Sequence, residues 1–143
     1  NGALYVNETG SGNVAMGLFA LAANTTGTSN TSLGYGSASS NITGSNITTV
    51  GNGADVGASA LNNATAIGAN AIVNQSNSLV LGNNANVGIG TTAPTEKLDV
   101  VGNVTADDYF YNVSQARTLM INPQTCSHHY KGTSLAGDRK SVV

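Results

Sequence analysis

The sequence predicts an all-β protein that folds as a β-solenoid, and three observations support this prediction. Apolar–glycine pairs recur at a nearly constant spacing, the stretches before them have the composition of strands, and the turn formers Gly and Asn supply 18 and 19 of the 143 residues. Charged residues make up only 8% of the chain, against about 25% in ordinary soluble proteins. This composition is atypical of a conventional globular enzyme.

The repeat is centred on an apolar residue followed by glycine. The glycines are spaced 17, 17, 17 and 14 residues apart, at Gly17, Gly34, Gly51, Gly68 and Gly82. Asn stands four or five positions before each glycine, and three positions after each stands a small residue: Ala20, Ser37, Ala54, Ala71 and Ala85. Such a unit is too short for a helical hairpin, and its composition disfavours helix. Each unit is therefore predicted to form one coil, with head repeats over residues 1–92.

The residues before each glycine are predicted to be short strands, with the sequences NVAMG, NTSLG, NITTVG, NATAIG and NSLVLG. Stacked coils lie about 4.8 Å apart, so equivalent residues come to lie above one another. Asn above Asn and Thr above Thr can then form hydrogen-bonded ladders. The polar residues of the repeat therefore have a structural use without any ligand.

Side-chain alternation along these strands divides the repeat into two faces. We assign the positions directly before the glycines to the solenoid core: Met16, Leu33, Val50, Ile67 and Leu81. The opposite face carries no charge and consists of Ala15, Ser32, Thr49, Ala66 and Val80. Because a strand uncharged on both faces is usually covered on both, this second set is predicted to contact other chains.

The repeats resemble the head repeats of YadA-type trimeric autotransporter adhesins, with which they share the N-x-[AST]-[ILVM]-G pattern over about residues 9–90. The resemblance implies a left-handed parallel β-roll wound as a trimer. The following segment, NVGIGTTAPTEKLDVVGNVTADDYF (86–110), is similar to a connector common in phage tail fibres and large microbial surface proteins. Residues 96–143 lack the sustained heptads of the stalk that follows adhesin heads in that family.

The remaining chain differs in composition from the repeats. Residues 96–143 hold five acids and all five bases, whereas Asp55 is the only acid or base between Thr9 and Thr95. We predict a connector over residues 93–112 and a C-terminal cap, or the start of a further domain, over 113–143. EKLDVV (96–101) followed by Gly102-Asn103 predicts a hairpin or two short strands, and RTLMIN (117–122) predicts another strand.

The C-terminal part also holds the residues most suited to binding chemistry. Tyr109, Phe110 and Tyr111 could stack on a sugar, but packing at a domain junction is favoured. Cys126 and His128 could meet copies of themselves on a threefold axis, yet neither has partners at metal-ligand spacing, so no metal site is predicted. The repeats contain no paired carboxylates and no phosphate-binding loop, so neither an enzymatic activity nor a cofactor is expected.

Nine Asn-x-Ser/Thr sequons are candidate acceptors for N-glycans, more than the roughly four that the composition gives by chance. They lie at Asn7, Asn24, Asn30, Asn41, Asn46, Asn63, Asn74, Asn103 and Asn112. The repeat offers another explanation, because ladders that need Asn, with Thr two positions later, create sequons without any glycan. Glycans are expected on turn sequons such as Asn24 and Asn41, because an Asn that faces inward cannot carry a sugar.

These features together predict a structural or adhesive segment of an extracellular filament or adhesin, at a cell or virion surface. The expected partners are further copies of the chain and a surface receptor that can be a glycan. A phage tail fibre segment that binds a host receptor is the alternative. The net charge of −2 disfavours nucleic acid. The longest apolar run, residues 14–23, is too short for a membrane span, so direct insertion is not expected.

Overall fold

The structure of the protein is a computed structural model that describes residues 2–105. These residues form nine short strands and no helix, and thus contain no helix that could cross a membrane. The strands are β1 (Val14–Met16), β2 (Thr31–Leu33), β3 (Ser45–Val50), β4 (Asp55–Val56), β5 (Asn62–Ile67), β6 (Ile72–Val73), β7 (Ser78–Leu81), β8 (Val87–Ile89) and β9 (Leu98–Val100).

One wall of the solenoid is a five-stranded parallel sheet in the order β1-β2-β3-β5-β7. All five strands lie where the sequence predicts them. Each pairs with the strand of the next coil so that equivalent repeat positions are adjacent, as in Ala15 with Ser32, Ser32 with Thr49, Thr49 with Ala66 and Ala66 with Val80. Parallel strands stacked in this register confirm the predicted β-solenoid.

The opposite wall is formed in part by the short parallel pair β4 and β6. Between the two walls lies a core cluster of small and medium-sized side chains, Ile47, Val56, Ala64, Ala66, Ala71 and Val73. In the preceding coils, Leu21 and Ala38 occupy the positions equivalent to Asp55 and have φ values of 50° and 49°. At this position of the coil, the backbone therefore changes from a left-handed conformation in the two preceding coils to a strand at Asp55.

Asp55 stabilises the coil at the position where the backbone changes from a turn to a strand. Its carboxylate accepts hydrogen bonds from the hydroxyls of Ser39 and Ser40, at 3.1 and 2.8 Å, and from the backbone N–H of Ser40 at 3.1 Å. Since a carboxylate can accept several bonds at once, this side chain ties the wall of one coil to the next. The acid that interrupts the uncharged repeat thus has a structural use.

The predicted Asn ladder is present at one corner of the solenoid. Nδ2 of Asn24 donates to Oδ1 of Asn7 at 2.8 Å, and Nδ2 of Asn41 donates to Oδ1 of Asn24 at 3.1 Å. The same amides also donate to the carbonyls of Gly27 and Gly44, three residues further along each coil. Each ladder amide therefore joins two coils and closes its own turn.

A second Asn column lies four positions before the glycines. Oδ1 of Asn13 accepts from the backbone N–H of Asn30 at 2.9 Å, and Oδ1 of Asn30 accepts from that of Ile47 at the same distance. Asn46 and Asn63 belong to a different column, with positive φ values of 56° and 51° and exposed side chains. The Asn residues that precede the glycines thus divide into an inward set and an outward set.

The ladder formed by Asn7, Asn24 and Asn41, which we call the corner ladder, ends at Asn41 with an amide oxygen that is unpaired within residues 2–105. This end of the ladder is the basis of a stability prediction. Oδ1 of Asn41 is buried and has no hydrogen-bond partner among the described residues, and the next position in its column is Ala58. Replacing Ala58 with Asn will supply an amide for this oxygen and raise the free energy of unfolding by about 1 kcal/mol. Urea unfolding measures the change. Ala60→Asn, at a neighbouring exposed position outside the column, is the control and will give no gain.

The chain leaves the solenoid after β7. Strand β8 pairs in parallel with β9, and Nζ of Lys97 donates to the backbone and side-chain oxygens of Asn84 at 2.7 and 2.9 Å. Leu98–Val100 is thus a strand as predicted, but no hairpin forms around Gly102-Asn103 within the described residues. Residues 2–104 belong to one compact unit. The predicted cap, the strand at 117–122 and the division at residue 112 lie outside the described residues.

Candidate functional site

The two faces of the strands are the reverse of the sequence assignment. Met16, Leu33, Ile67 and Leu81, assigned to the core, are 64%, 43%, 40% and 43% exposed, and Val50 is half-buried. Of the residues assigned to contact other chains, Ser32, Thr49 and Ala66 are fully buried inside the coil, and Ala15 and Val80 are half-buried. Both assignments are therefore wrong for the exposed and for the fully buried residues of these two sets, whereas the half-buried Ala15, Val50 and Val80 do not decide between the faces.

The physical reason for the reversal is the narrow interior of the coil. The buried strand positions face a second column of small residues, Ala20, Ser37, Ala54 and Ala71, which are also fully buried. The hydroxyl of Thr49 donates to that of Ser32 at 3.1 Å, and the Ser32 hydroxyl donates to the carbonyl oxygen of Ser37 at 2.8 Å. Small residues fit this space, and their polar groups are satisfied there, whereas Leu or Ile side chains would overfill it.

The candidate site is the exposed face of the five-stranded sheet, which we call the outer strand face. It has two columns of side chains and contains no charged residue. The first column has threonines in the middle and apolar residues at its ends: Val14, Thr31, Thr48, Thr65 and Leu79. The second column is apolar throughout: Met16, Leu33, Val50, Ile67 and Leu81. Contiguous exposed apolar surface of this kind is typical of interaction sites.

Three further large apolar residues are exposed in the turns that follow β1 and β2. Leu18, Phe19 and Tyr35 follow the first two repeat glycines and are all exposed. The rings of Phe19 and Tyr35 pack edge to face, with centroids 6.0 Å apart. They add exposed aromatic side chains, of the kind common in protein interfaces, near the first two strands. None of the three residues was predicted to be a site residue from the sequence.

The sequons also differ from their predicted placement. Asn24 and Asn41, expected in glycan-bearing turns, are the buried rungs of the corner ladder, and Asn30 is buried in the second column. A sugar on any of these amides would break the ladder, so the expectation for Asn24 and Asn41 is wrong. Asn7 is a half-buried rung of the same ladder. Asn46, Asn63, Asn74 and Asn103 are exposed, and Asn112 lies outside the described residues.

Other chemistry at the described residues is sparse. Within residues 2–105, no group of three or more His, Cys, Asp or Glu side chains is placed to hold a metal ion. The aromatic cluster at 109–111 and the pair Cys126 and His128 lie outside this range. The most distinctive feature of the described chain is therefore its exposed and uncharged outer strand face.

The sequence contained a signal for the correct orientation of the strands. At the first four repeat glycines, small residues occupy both the position two before the glycine and the position three after it, and these two columns face each other across the coil. Paired columns of small residues mark the interior of a narrow solenoid, because only small side chains fit between closely spaced walls. The alternation of large and small residues alone does not give this result.

Comparison with protein-family models, with curated proteins and with solved structures finds no match to this chain. The fold by itself defines a repeat protein of the β-solenoid class, because parallel strands from successive coils stack in register. The exposed outer strand face is the candidate functional surface of this solenoid.

Proposed function

We propose that this chain is a non-enzymatic segment of an extracellular filament or adhesin, and that it assembles as a homotrimer through the outer strand face. The observation that carries the proposal is the row of large apolar side chains exposed on a sheet that has no charge. A wall that faces water in a soluble protein normally carries Lys or Glu. Contact with further copies of the chain would cover this surface.

The energetics favour such a contact. Burying an exposed Val, Leu, Ile or Met side chain completely is worth about 1.5–3 kcal/mol, and six residues of the outer strand face are 40–64% exposed. A single coil encloses few large side chains, so the apolar burial that stabilises one folded chain against backbone entropy is modest. Assembly adds the burial that the narrow interior cannot provide.

The repeat geometry suits a parallel arrangement of copies around one axis. Equivalent positions of the repeat lie one above another in the stack. A parallel copy in the same register therefore places each residue of the outer strand face beside its own counterpart at every level. A trimer closed in this way leaves no outer strand face exposed. The resemblance of the repeats to trimeric adhesin heads supports three as the number of copies.

The test is a charge placed on the outer strand face, on the fourth strand of the sheet. We expect Ile67→Lys to dissociate the trimer at micromolar concentration, because it brings like charges together at the axis and removes an apolar contact. Native mass spectrometry and light scattering will give three times the chain mass of 14.3 kDa for the unaltered chain and the chain mass for the variant.

Thr43→Lys is the matched control, since Thr43 is also exposed but lies at a corner away from the sheet. This variant is expected to remain trimeric. Far-UV circular dichroism will establish that both variants are folded. A monomeric unaltered chain, or an Ile67→Lys variant that assembles like the control, would contradict the proposal.

A segment of a phage tail fibre that binds a host receptor is a second candidate. It is favoured by the similarity of residues 86–110 to a connector of such fibres. Both candidates use the same trimeric rod, with a receptor that can be a surface glycan. Tail genes adjacent to the coding sequence would favour the fibre, whereas neighbouring genes for surface proteins would favour the adhesin.

A further inference from the structure

We propose that Asn74 is an N-glycan acceptor on the wall of the solenoid opposite the outer strand face. The proposal rests on the extracellular location inferred above and concerns a different surface. Asn74 follows β6, is exposed, and begins the sequon Asn74-Gln75-Ser76. Its side chain has no hydrogen bond to any described residue, so the amide nitrogen is free for modification.

At five other sequons the Asn has a role in the fold that accounts for its presence, whereas Asn74 has no such role within the described part of the chain. Asn24, Asn30 and Asn41 are buried and needed for ladder hydrogen bonds. Asn46 and Asn63 occupy a column of positive φ, a conformation that Asn tolerates better than most residues. Asn74 has no left-handed backbone, and the equivalent positions in the preceding coils are Ser40 and Gly57, so it continues no ladder.

The surroundings of Asn74 can accommodate a sugar. It lies in the shortened coil, where the spacing between glycines falls from 17 to 14 residues, and its neighbour Gln75 is exposed as well. The β4 and β6 wall lies across the core from the large sheet. A glycan at this site therefore leaves the outer strand face free for assembly.

The modification is a glycosyl transfer from a lipid diphosphate-linked oligosaccharide. Nδ2 of Asn74 attacks the anomeric carbon of the sugar, and the new N–C bond forms as the C–O bond to the diphosphate breaks. The lipid diphosphate leaves with the bonding electron pair, and the amide gives up one proton to a base of the transferase. Ser76 supplies the hydroxyl that completes the acceptor sequence.

The experiment is a glycan map of the full chain secreted from a eukaryotic host behind a cleavable signal peptide. Release of glycans by a peptide N-glycosidase in heavy-oxygen water converts each occupied Asn to a labelled Asp. We expect the label at Asn74 in most of the folded, secreted protein. Asn70 is an internal control, because it is exposed in the same coil but has no Ser or Thr two residues later.

Two variants separate this proposal from the proposed function. Asn74→Gln will lose the mapped glycan and assemble like the unaltered chain. Ile67→Lys will keep the glycan on Asn74 whether or not the chain forms trimers, so failure of the trimer leaves the acceptor test intact. An unmodified Asn74 in the folded, secreted chain, or occupied Asn24, Asn30 or Asn41 in that fraction, would overturn the assignment.

Discussion

Gly34→Ala will abolish stable folding of the solenoid, with an expected loss of at least about 4 kcal/mol in the free energy of unfolding. A Cβ at this position would overlap the carbonyl oxygen of Gly51 in the next coil and lie 2.6 Å from its carbonyl carbon. The backbone is also at φ +138°, which L side chains rarely adopt. Because both atoms belong to backbone, no side-chain rotation can relieve the clash. Urea unfolding at fixed protein concentration measures the loss.

Gly36→Asn is the matched control for this substitution. Gly36 lies two residues away with φ +60°, and a Cβ there would have no atom within 4 Å. Phe19 and Asn70 occupy equivalent positions with φ values of 62° and 55°, so side chains are accommodated in this column. The control is expected to cost less than about 1 kcal/mol. Equal stability of the two variants would show that the coils do not approach at Gly34 as described.

Ala66→Lys will unfold the chain, whereas Ile67→Lys at the adjacent residue will leave it folded and change only its assembly. Ala66 is fully buried in the core cluster with Ile47 and Val73, so a lysine ammonium there would be placed among apolar groups without a partner. We expect a loss of more than about 4 kcal/mol. Far-UV circular dichroism and thermal unfolding distinguish the two variants.

The comparison of these neighbours tests the orientation of β5 directly. A lysine at Ile67 can extend into solvent, because that side chain is 40% exposed in the single chain. If the orientation were the reverse, Ile67→Lys would unfold the protein and Ala66→Lys would be tolerated. The outcome therefore decides which column forms the interior, independently of the number of copies that assemble.

Much of the fold could be predicted from the sequence because its determinants are local and repeated. The glycine spacing locates all five strands of the large sheet, and the strands pair in the register that this spacing implies. Identical positions in successive coils meet each other, so a ladder such as Asn7–Asn24–Asn41 follows from periodicity alone. Local composition could also indicate the change in character beyond the repeats.

The candidate site could be predicted only in part. The lack of charge on the strands predicts a face that contacts other chains, and this stays a prediction. Alternation along a strand defines two faces but does not say which of them is inside. Leu33 and Ser32 are adjacent, and hydrophobicity favours burial of Leu33, yet the structure buries Ser32. Hydrophobicity is a poor guide here because the serine hydroxyl has partners within the coil and the leucine side chain has no room.

The sequence by itself determined the period, the strands, their parallel stacking and the absence of charge, because each of these depends on residue type at a fixed spacing. Only the tertiary structure decided which face is exposed, which asparagines are ladder rungs and which sequons are open to solvent. These properties depend on the distance between the two walls of a coil. That distance is set by the small residues that meet across it, Ser32 with Ser37 and Ala66 with Ala71, and not by any one strand.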